Sequence, residues 1–310
     1  MLVRIWVEPQ QGAPYDALLA MARVAEELGF DAFFCSDHYL AEGGGDGRPG
    51  PTDALITLAG IARDTKTIRF GTLVSPVTFR LPGPLAIAVA QIDAMSGGRV
   101  ELGLGAGWYE TEHLAYGIPF PPLAERLERL EEQLKVITGL WRTPDAERFS
   151  FRGKYYSFVD SPALPKPVQL GGPPLIVGGR GKARAPSLAA QFAVEYNVPF
   201  APARQAADLF GRARMECERH HRDPHSLVLS VALTVCCWTN ETEMRHRLRA
   251  VEQYGATMRD RGVFGTPDQI VEHVLTYSAV GAERLYLHIL DLKDVDELGL
   301  LAAEVVPKLI

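Results

Sequence analysis

The residues best suited to proton chemistry are Asp37 and His38, adjacent at the end of the apolar run 30–35. Histidine titrates near neutrality, and a neighbouring carboxylate can orient it or stabilise its charge. A structural imidazole bonded to a backbone carbonyl would also suit such a position. Glu110 supplies a further carboxylate, following the glycine-rich stretch 97–107 after Trp108 and Tyr109; it also reads as an acidic residue favouring a helix N-terminus. A third group is the turn Gly178-Gly179-Arg180-Gly181-Lys182, set between an apolar run and a helical pattern. Glycines let amides close on phosphate oxygens, a helix start favours an anion, and Arg180 or Lys182 can add charge. It is not a nucleoside-triphosphate loop, because Ala183 stands where Ser or Thr is needed and the glycine spacing fails. A tight turn with solvated basic residues is the plainer alternative.

Other constellations are weaker. Gly103, Gly105 and Gly107 lack the third glycine of the dinucleotide fingerprint, and no acidic residue follows at the expected later strand end. They predict either a flat, bulky group close to the backbone or relief of crowding inside a narrow barrel. The tract His220-His221-Arg222-Asp223-Pro224-His225 ends a helical pattern, where cationic side chains suit the helix C-terminus better than a metal does. No lysine lies within a strand-like run, against a Schiff-base mechanism, and no metal is expected. Trp6, Glu8, Phe79, Trp108 and Tyr109 fall after or near strand ends and are expected to shape a largely apolar substrate pocket.

Strand-like runs at 3–7, 30–35, 68–74, 99–104, 175–177, 194–197, 227–236 and 284–289 each precede a helical pattern. Eight such units predict a closed (β/α)8 TIM barrel, with functional side chains gathered at the C-terminal ends of the strands. Helical periodicity extends to about 258 after the seventh run, and a further helix covers 268–278. Thr266-Pro267-Asp268-Gln269 is a capping box, and Gly29 and Gly281 follow helical patterns where a terminal glycine belongs. The connection between helix 4 and strand 5, about 142–174, is long, aromatic and then proline-rich; it predicts an insertion that packs short strands beside the barrel and helps wall the site. The whole chain, 1–310, is expected to form one domain.

With 47% hydrophobic and 23% charged residues the chain has the composition of a folded soluble protein. A net charge of -6 without a long basic run argues against nucleic acid as a partner. The apolar runs are too short to span a membrane, and no targeting segment is discernible. Cys35, Cys217, Cys236 and Cys237 have no CxxC spacing and read as reduced, buried thiols, which fits a cytoplasmic location.

Five segments together resemble the luciferase-like monooxygenase superfamily, within it the coenzyme F420-dependent oxidoreductases: 30–38, 71–74, 96–108, 174–181 and 265–270. The resemblance covers nearly the whole chain. It implies that Asp37 and His38 face a deazaflavin ring, with Asp37 orienting His38, and that Leu73, Val74 and Ser75 form a strand bulge, containing a non-prolyl cis peptide, that backs it. It also implies that Ala106 and Gly107 contact the cofactor and that Gly178, Gly179, Arg180 and Gly181 cradle its phosphate. On this basis the glycines of 103–107 clear a floor for the ring beneath Trp108, Tyr109 and Glu110. Hydride transfer between reduced F420 and an organic small molecule is implied, with FMN-dependent oxygen activation or non-catalytic flavin binding as alternatives. Trp108 and Tyr109 intervene before Glu110, unlike the family's sugar-phosphate dehydrogenases, which disfavours a sugar phosphate. A homodimer is implied as well.

Overall fold

The computed structural model describes residues 1–42, 46–253 and 262–309. Its strands are, in chain order, β1 (Leu2–Val7), β2 (Ala32–Cys35), β3 (Arg69–Pro76), β4 (Val100–Gly105), β5 (Phe149–Arg152), β6 (Ser157–Ser161), β7 (Leu175–Gly178), β8 (Glu195–Pro199), β9 (Val228–Cys237), β10 (Gly262–Gly265) and β11 (Arg284–His288). The helices are α1 (Tyr15–Glu27), α2 (Ala54–Asp64), α3 (Pro82–Ser96), α4 (Glu110–Ala115), α5 (Leu123–Arg142), α6 (Arg184–Phe192), α7 (Ala203–Arg219), α8 (Glu241–Gln253), α9 (Pro267–Ala279) and α10 (Val295–Leu300).

Parallel pairing runs β11-β1-β2-β3-β4-β7-β8-β9 and returns from β9 to β11, closing an eight-stranded barrel. These strands are the eight apolar runs of the sequence. Most of their residues are buried on both faces, as parallel strands between a lumen and a helical coat must be. The (β/α)8 TIM barrel is therefore the fold of the chain. Among the described residues no helix is long and apolar enough to cross a membrane.

Two features differ from the sequence expectation. Strand β10 is additional, pairing with the outer end of β9 from Gly262↔Thr234 to Gly265↔Cys237. Four residues, two of them glycine, are too short to carry a readable period. The expected helix to 258 is α8 as far as Gln253; 254–258 lie outside the described residues. The capping box before α9 is formed, with Thr266 N donating to Gln269 Oε1 at 2.9 Å.

The insertion packs short strands beside the barrel as expected, but not as a wall of the site. Strands β5 and β6 form an antiparallel hairpin on the outer coat. Phe149 lies where a Cβ on Gly139 of α5 would fall, and Phe158 packs against Gly83 of α3. Glu132 of α5 accepts the amides of Lys154, Tyr155 and Tyr156. The proline-rich half then seals the end at which the strands begin: Gln169 bonds Asp93, the Val100 carbonyl and Arg69. A helix following a barrel strand runs back to the strand starts, so a segment leaving α5 and entering β7 begins and ends at the floor. It does not wall the strand-end mouth.

Inside the barrel, the floor is ionic. Buried Arg4 donates to Asp31 (2.6 Å), Glu101 (2.7 Å) and Tyr286 Oη (2.9 Å), while Tyr286 Oη donates to Glu195 (2.8 Å). Arg69 and Arg284 complete the shells of Glu101 and Glu195. Above it Trp6, Ala32, Phe34, Leu73, Ile176 and Ala232 fill the lumen, with Val74 and Phe200 packed on top.

Candidate active site

The mouth is built from the segments that leave the C-terminal ends of the strands. After β2 the chain sets Asp37 inward, wholly buried, and His38 half-buried at the rim. These neighbours do not pair with each other. Asp37 accepts from Ser75 Oγ at 2.5 Å and from the Arg80 guanidinium, which reaches its second oxygen at 3.2 Å. The same guanidinium donates to Asp53 at 2.6 Å and to Tyr39 Oη at 3.1 Å, and Gln133 holds the Arg80 carbonyl. Burial alone would raise the Asp53 carboxyl, yet the charge of Arg80 and the amide of Ile56 take it below its ordinary value. Asp37 thus anchors strand ends, and the expectation that it orients His38 is corrected.

The partner of His38 is Glu112. Its Oε1 lies 2.9 Å from His38 Nδ1, and its Oε2 accepts the Tyr39 amide at 3.0 Å. Glu112 is fully buried in α4, beside His113, which bridges Thr78 Oγ1 (2.7 Å) and the Tyr109 carbonyl (2.7 Å). Burial would push the His38 imidazolium down, but the hydrogen bond and charge of Glu112, joined at longer range by Glu42 and Glu8, carry it above its ordinary 6.5. With Nδ1 engaged, Nε2 is the ring nitrogen left for a ligand. Glu110, the carboxylate expected here, is exposed at the start of α4, two residues away on the outer side. Position alone does not distinguish them. Leu114 is 75% exposed while Glu112 and His113 face inward, so apolar periodicity would have turned this short helix the wrong way round.

The aromatic residues divide. The rings of Trp108 and Tyr109 stack at 5.1 Å and present edges to His38 at 5.9 and 6.4 Å. Phe79 instead stacks on Tyr39 at 4.6 Å and packs on His113, buttressing the rim. Trp6 lies in the lumen beside Phe200 and His288, and Glu8 comes two residues after it.

The bulge expected at Leu73, Val74 and Ser75 is present: the register of β3 on β4 shifts between Thr72 and Ser75, and the Leu73-Val74 peptide is cis. It also accounts for the glycines. A Cβ on Gly103 would fall 2.9 Å from Val74 Cγ1 and 2.0 Å from the Thr72 carbonyl oxygen. At Gly105 it would fall 2.8 Å from Val74 Cγ2, and at Gly178 2.9 Å from Val74 Cγ1. The glycines make room for the Val74 side chain, not directly for a flat ligand; a ligand floor here would be the bulge they accommodate. Gly107, at φ +75°, faces Pro76 and Thr78, with Ala106 half-buried before it.

At the end of β7, Gly178 and Gly179 are half-buried and Arg180, Gly181 and Lys182 exposed. Gly179 takes φ +144°, its amide donating to the Asn197 carbonyl, and its own carbonyl accepts from Tyr196 Oη. Helix α6 follows without a side-chain cap. Among the described residues, the amides of Arg180, Gly181 and Lys182 bond no backbone carbonyl. An uncapped helix start with free amides and two nearby cations is arranged to hold an anion.

Glu112 and His288 escaped sequence reasoning, as did the role of the strand-end residue Arg80 in holding Asp37 and Asp53. His288 ends β11, so a survey of strand ends continued to the last strand would have reached it.

Comparison with known proteins places the chain in a family. The sequence pattern of luciferase-like monooxygenases matches residues 1–264. An F420-dependent glucose-6-phosphate dehydrogenase of Amycolatopsis mediterranei is 36% identical over 184 residues, 56% of this chain and 53% of that protein. An FMNH2-dependent dimethylsulfone monooxygenase of Pseudomonas putida is 30% identical over 168 residues, 53% of this chain and 43% of that protein. The chain thus spans about half the length of these relatives. Among solved structures, an F420-dependent secondary alcohol dehydrogenase in complex with an F420-acetone adduct superposes with a TM-score of 0.86 at 17% identity, covering 100% of this chain and 99% of that one, a likeness of fold. By the family pattern that covers its first 264 residues, the chain belongs to the luciferase-like monooxygenase family.

Proposed function

We propose that the chain is an F420-dependent oxidoreductase acting on an organic small molecule at the barrel mouth. One observation carries this: a rim histidine, His38, is paired through Nδ1 with the fully buried carboxylate of Glu112, in a mouth that also holds the Leu73-Val74 bulge. The F420-dependent dehydrogenases among its relatives support the cofactor class.

The residues present fit a deazaflavin. Its phosphate suits the uncapped start of α6, with the amides of Arg180 and Gly181, which bond no carbonyl among the described residues, and the positive φ of Gly179. The Val74 bulge, with Leu73, Ser75, Ala106 and Gly107, would back the ring. When bound, reduced F420 supplies a hydride and its oxidised form accepts one. The protein's part is proton control. Glu112 fixes the His38 ring and favours its charged form, so Nε2 can donate a proton to an oxygen that gains charge, or stabilise that charge. In the reverse direction the neutral ring would accept the proton. Trp108 and Tyr109 would flank the substrate, while Asp37, through Ser75 and Arg80, keeps the ends of β2 and β3 in register.

The FMNH2-dependent relative supports a second reading, an oxygen-activating monooxygenase using the same mouth. Titration of the purified protein with F420 and, in parallel, FMN, followed by fluorescence, separates them. Tighter binding of F420 is the expected result. Preference for FMN would transfer the protein to the second reading, and binding of neither would remove both.

A further inference from the structure

The corner of the mouth between β1 and β11 has a chemistry of its own. Trp6 and His288 are register partners on these strands, their rings 4.6 Å apart. Four side-chain atoms here make no well-formed hydrogen bond among the described residues: Trp6 Nε1, Glu8 Oε2, Gln10 Nε2 and His288 Nε2, with the Gln10 and Gln11 amides close enough to Glu8 to act on its carboxyl. All four residues are at least nine-tenths buried. Each such atom costs about 1–3 kcal/mol when left unpaired. His288 Nδ1 is bonded to Thr234 Oγ1 at 3.1 Å and Gln10 Oε1 to Ser36 Oγ at 2.6 Å, so the free edges are fixed by second contacts and not by chance rotamers. His288 Nε2 and Glu8 Oε2 face each other at 3.5 Å. Over Trp6 and His288 lies the half-buried Phe200, at the end of β8, its ring 5.4 and 5.9 Å from theirs.

We propose that Glu8, His288, Trp6 and Gln10 form a second polar station of the substrate pocket, receiving an uncharged hydroxyl or carbonyl oxygen of the substrate, with Phe200 as its displaceable cover. The donors decide the class. Trp6 Nε1 and Gln10 Nε2 can only donate. Burial raises the Glu8 carboxyl to about 7, with Glu42 adding to the rise, so near neutrality a large part of it is a hydroxyl donor. Burial lowers His288 to about 3, leaving it neutral. Among the described residues no uncommitted cation serves this corner: the Arg80 guanidinium is taken by Asp37 and Asp53, the His38 charge that reaches Glu8 is already faced by Glu112, and the exposed Arg180 is turned to the Phe200 carbonyl. A phosphate or carboxylate would meet Glu8 and Glu42 with no guanidinium or ammonium of its own, and His38 is already charge-balanced by Glu112, so its desolvation would be poorly offset. A neutral oxygen accepts from the donors and, as a hydroxyl, also donates.

The station rests on the reading of the mouth as a hydride-transfer site only in making its ligand the substrate. Its test uses the full-length protein labelled with nitrogen-15 histidine, with three probes: cyclohexanone, cyclohexanecarboxylate and glucose 6-phosphate. Cyclohexanone is expected to shift the His288 ring resonances saturably, and the two anions to bind at least about tenfold more weakly, the equivalent of one buried hydrogen bond to an uncompensated group. Glu8→Leu should weaken cyclohexanone by about the same factor while F420 affinity is kept. Phe200→Ala, which removes the cover, should strengthen cyclohexanone binding, and it keeps the test alive if Glu8→Leu does not fold. Unmoved His288 resonances with cyclohexanone, equal or tighter binding of either anion, or an unchanged affinity in Glu8→Leu would overturn the station. Failure of the wild-type protein to bind F420 while cyclohexanone still shifts His288 would sink the hydride-transfer reading and uphold the station.

Discussion

The two ends of this barrel handle buried polar groups in opposite ways. At the floor, Arg4, Asp31, Glu101, Glu195, Tyr286, Arg69 and Arg284 interlock so that each charge meets an opposite charge at hydrogen-bond distance. At the mouth, Trp6, Glu8, Gln10 and His288 each keep an atom without a well-formed hydrogen bond among the described residues, and His38 keeps one nitrogen for a ligand. The same strands supply both ends: Arg4 and Trp6 are two residues apart on β1, Tyr286 and His288 two apart on β11. A period of two keeps both pairs facing the lumen, so the difference is one of depth and not of side. Satisfied groups at the floor stabilise the fold; unsatisfied ones at the mouth cost stability and are expected where a ligand completes them.

The strongest way to break this contrast is at the floor. Arg4→Met takes one guanidinium from Glu101, which keeps Arg69, and from Glu195, which keeps Arg284, and should cost about 3 kcal/mol in denaturant unfolding, the low end for removing one partner of a buried ion pair. A loss below about 1 kcal/mol, the range of surface ion pairs, would mean that the lattice is not the stabilising element described. At the mouth, Glu112→Gln keeps the volume and the acceptor for the Tyr39 amide but removes the charge facing His38. Turnover should fall by about a hundredfold, within the range for general acid-base groups, with the midpoint of unfolding little changed. A large loss of stability with normal turnover per folded molecule would move Glu112 to the structural side of the comparison.

An intermediate effect is expected between the two ends. Gly105→Ala forces a Cβ to within 2.8 Å of Val74 Cγ2 and should destabilise by about 1–3 kcal/mol, as overpacking does. Val74→Ala in the same chain should restore much of that loss. Additive effects in the double-mutant cycle would contradict the assignment of this glycine to the Val74 bulge. The smallest change belongs to exposed Glu110: Glu110→Gln should alter both stability and turnover by no more than about 0.5 kcal/mol equivalents. A hundredfold loss of turnover there would return the catalytic carboxylate to the position first suggested by sequence.

The barrel was legible because its signal is periodic and repeated: eight apolar runs, each feeding a helical pattern, correspond to eight strands in a closed order. Asp37 and His38 were legible as strand-end residues, and Leu73 and Val74 through resemblance. Their partners were not, because pairing at a barrel mouth joins residues 38 and 112, or 37 and 80, whose separation carries no local pattern. The glycines were seen with two readings open, and the Val74 bulge bears out relief of crowding at Gly103 and Gly105. Sequence reports that a Cβ is missing, not which atom fills the space. The insertion was read as a wall of the site because its length and aromatic content are visible, while its attachment at the floor follows only from the direction of α5.

The central claim is that the charge of Glu112 controls the proton on His38. A nitrogen-15 NMR titration of the histidine ring in wild-type protein and in Glu112→Gln tests it without cofactor or substrate. The His38 midpoint should lie above 6.5 in the wild type and fall in the variant, where only the more distant Glu42 and Glu8 oppose burial. The stabilisation from this pair should then be full below the unfolded-state value near 6.5 and be lost as pH rises through the folded midpoint. An identical midpoint in both proteins, or a wild-type value below 6.5, would contradict that claim.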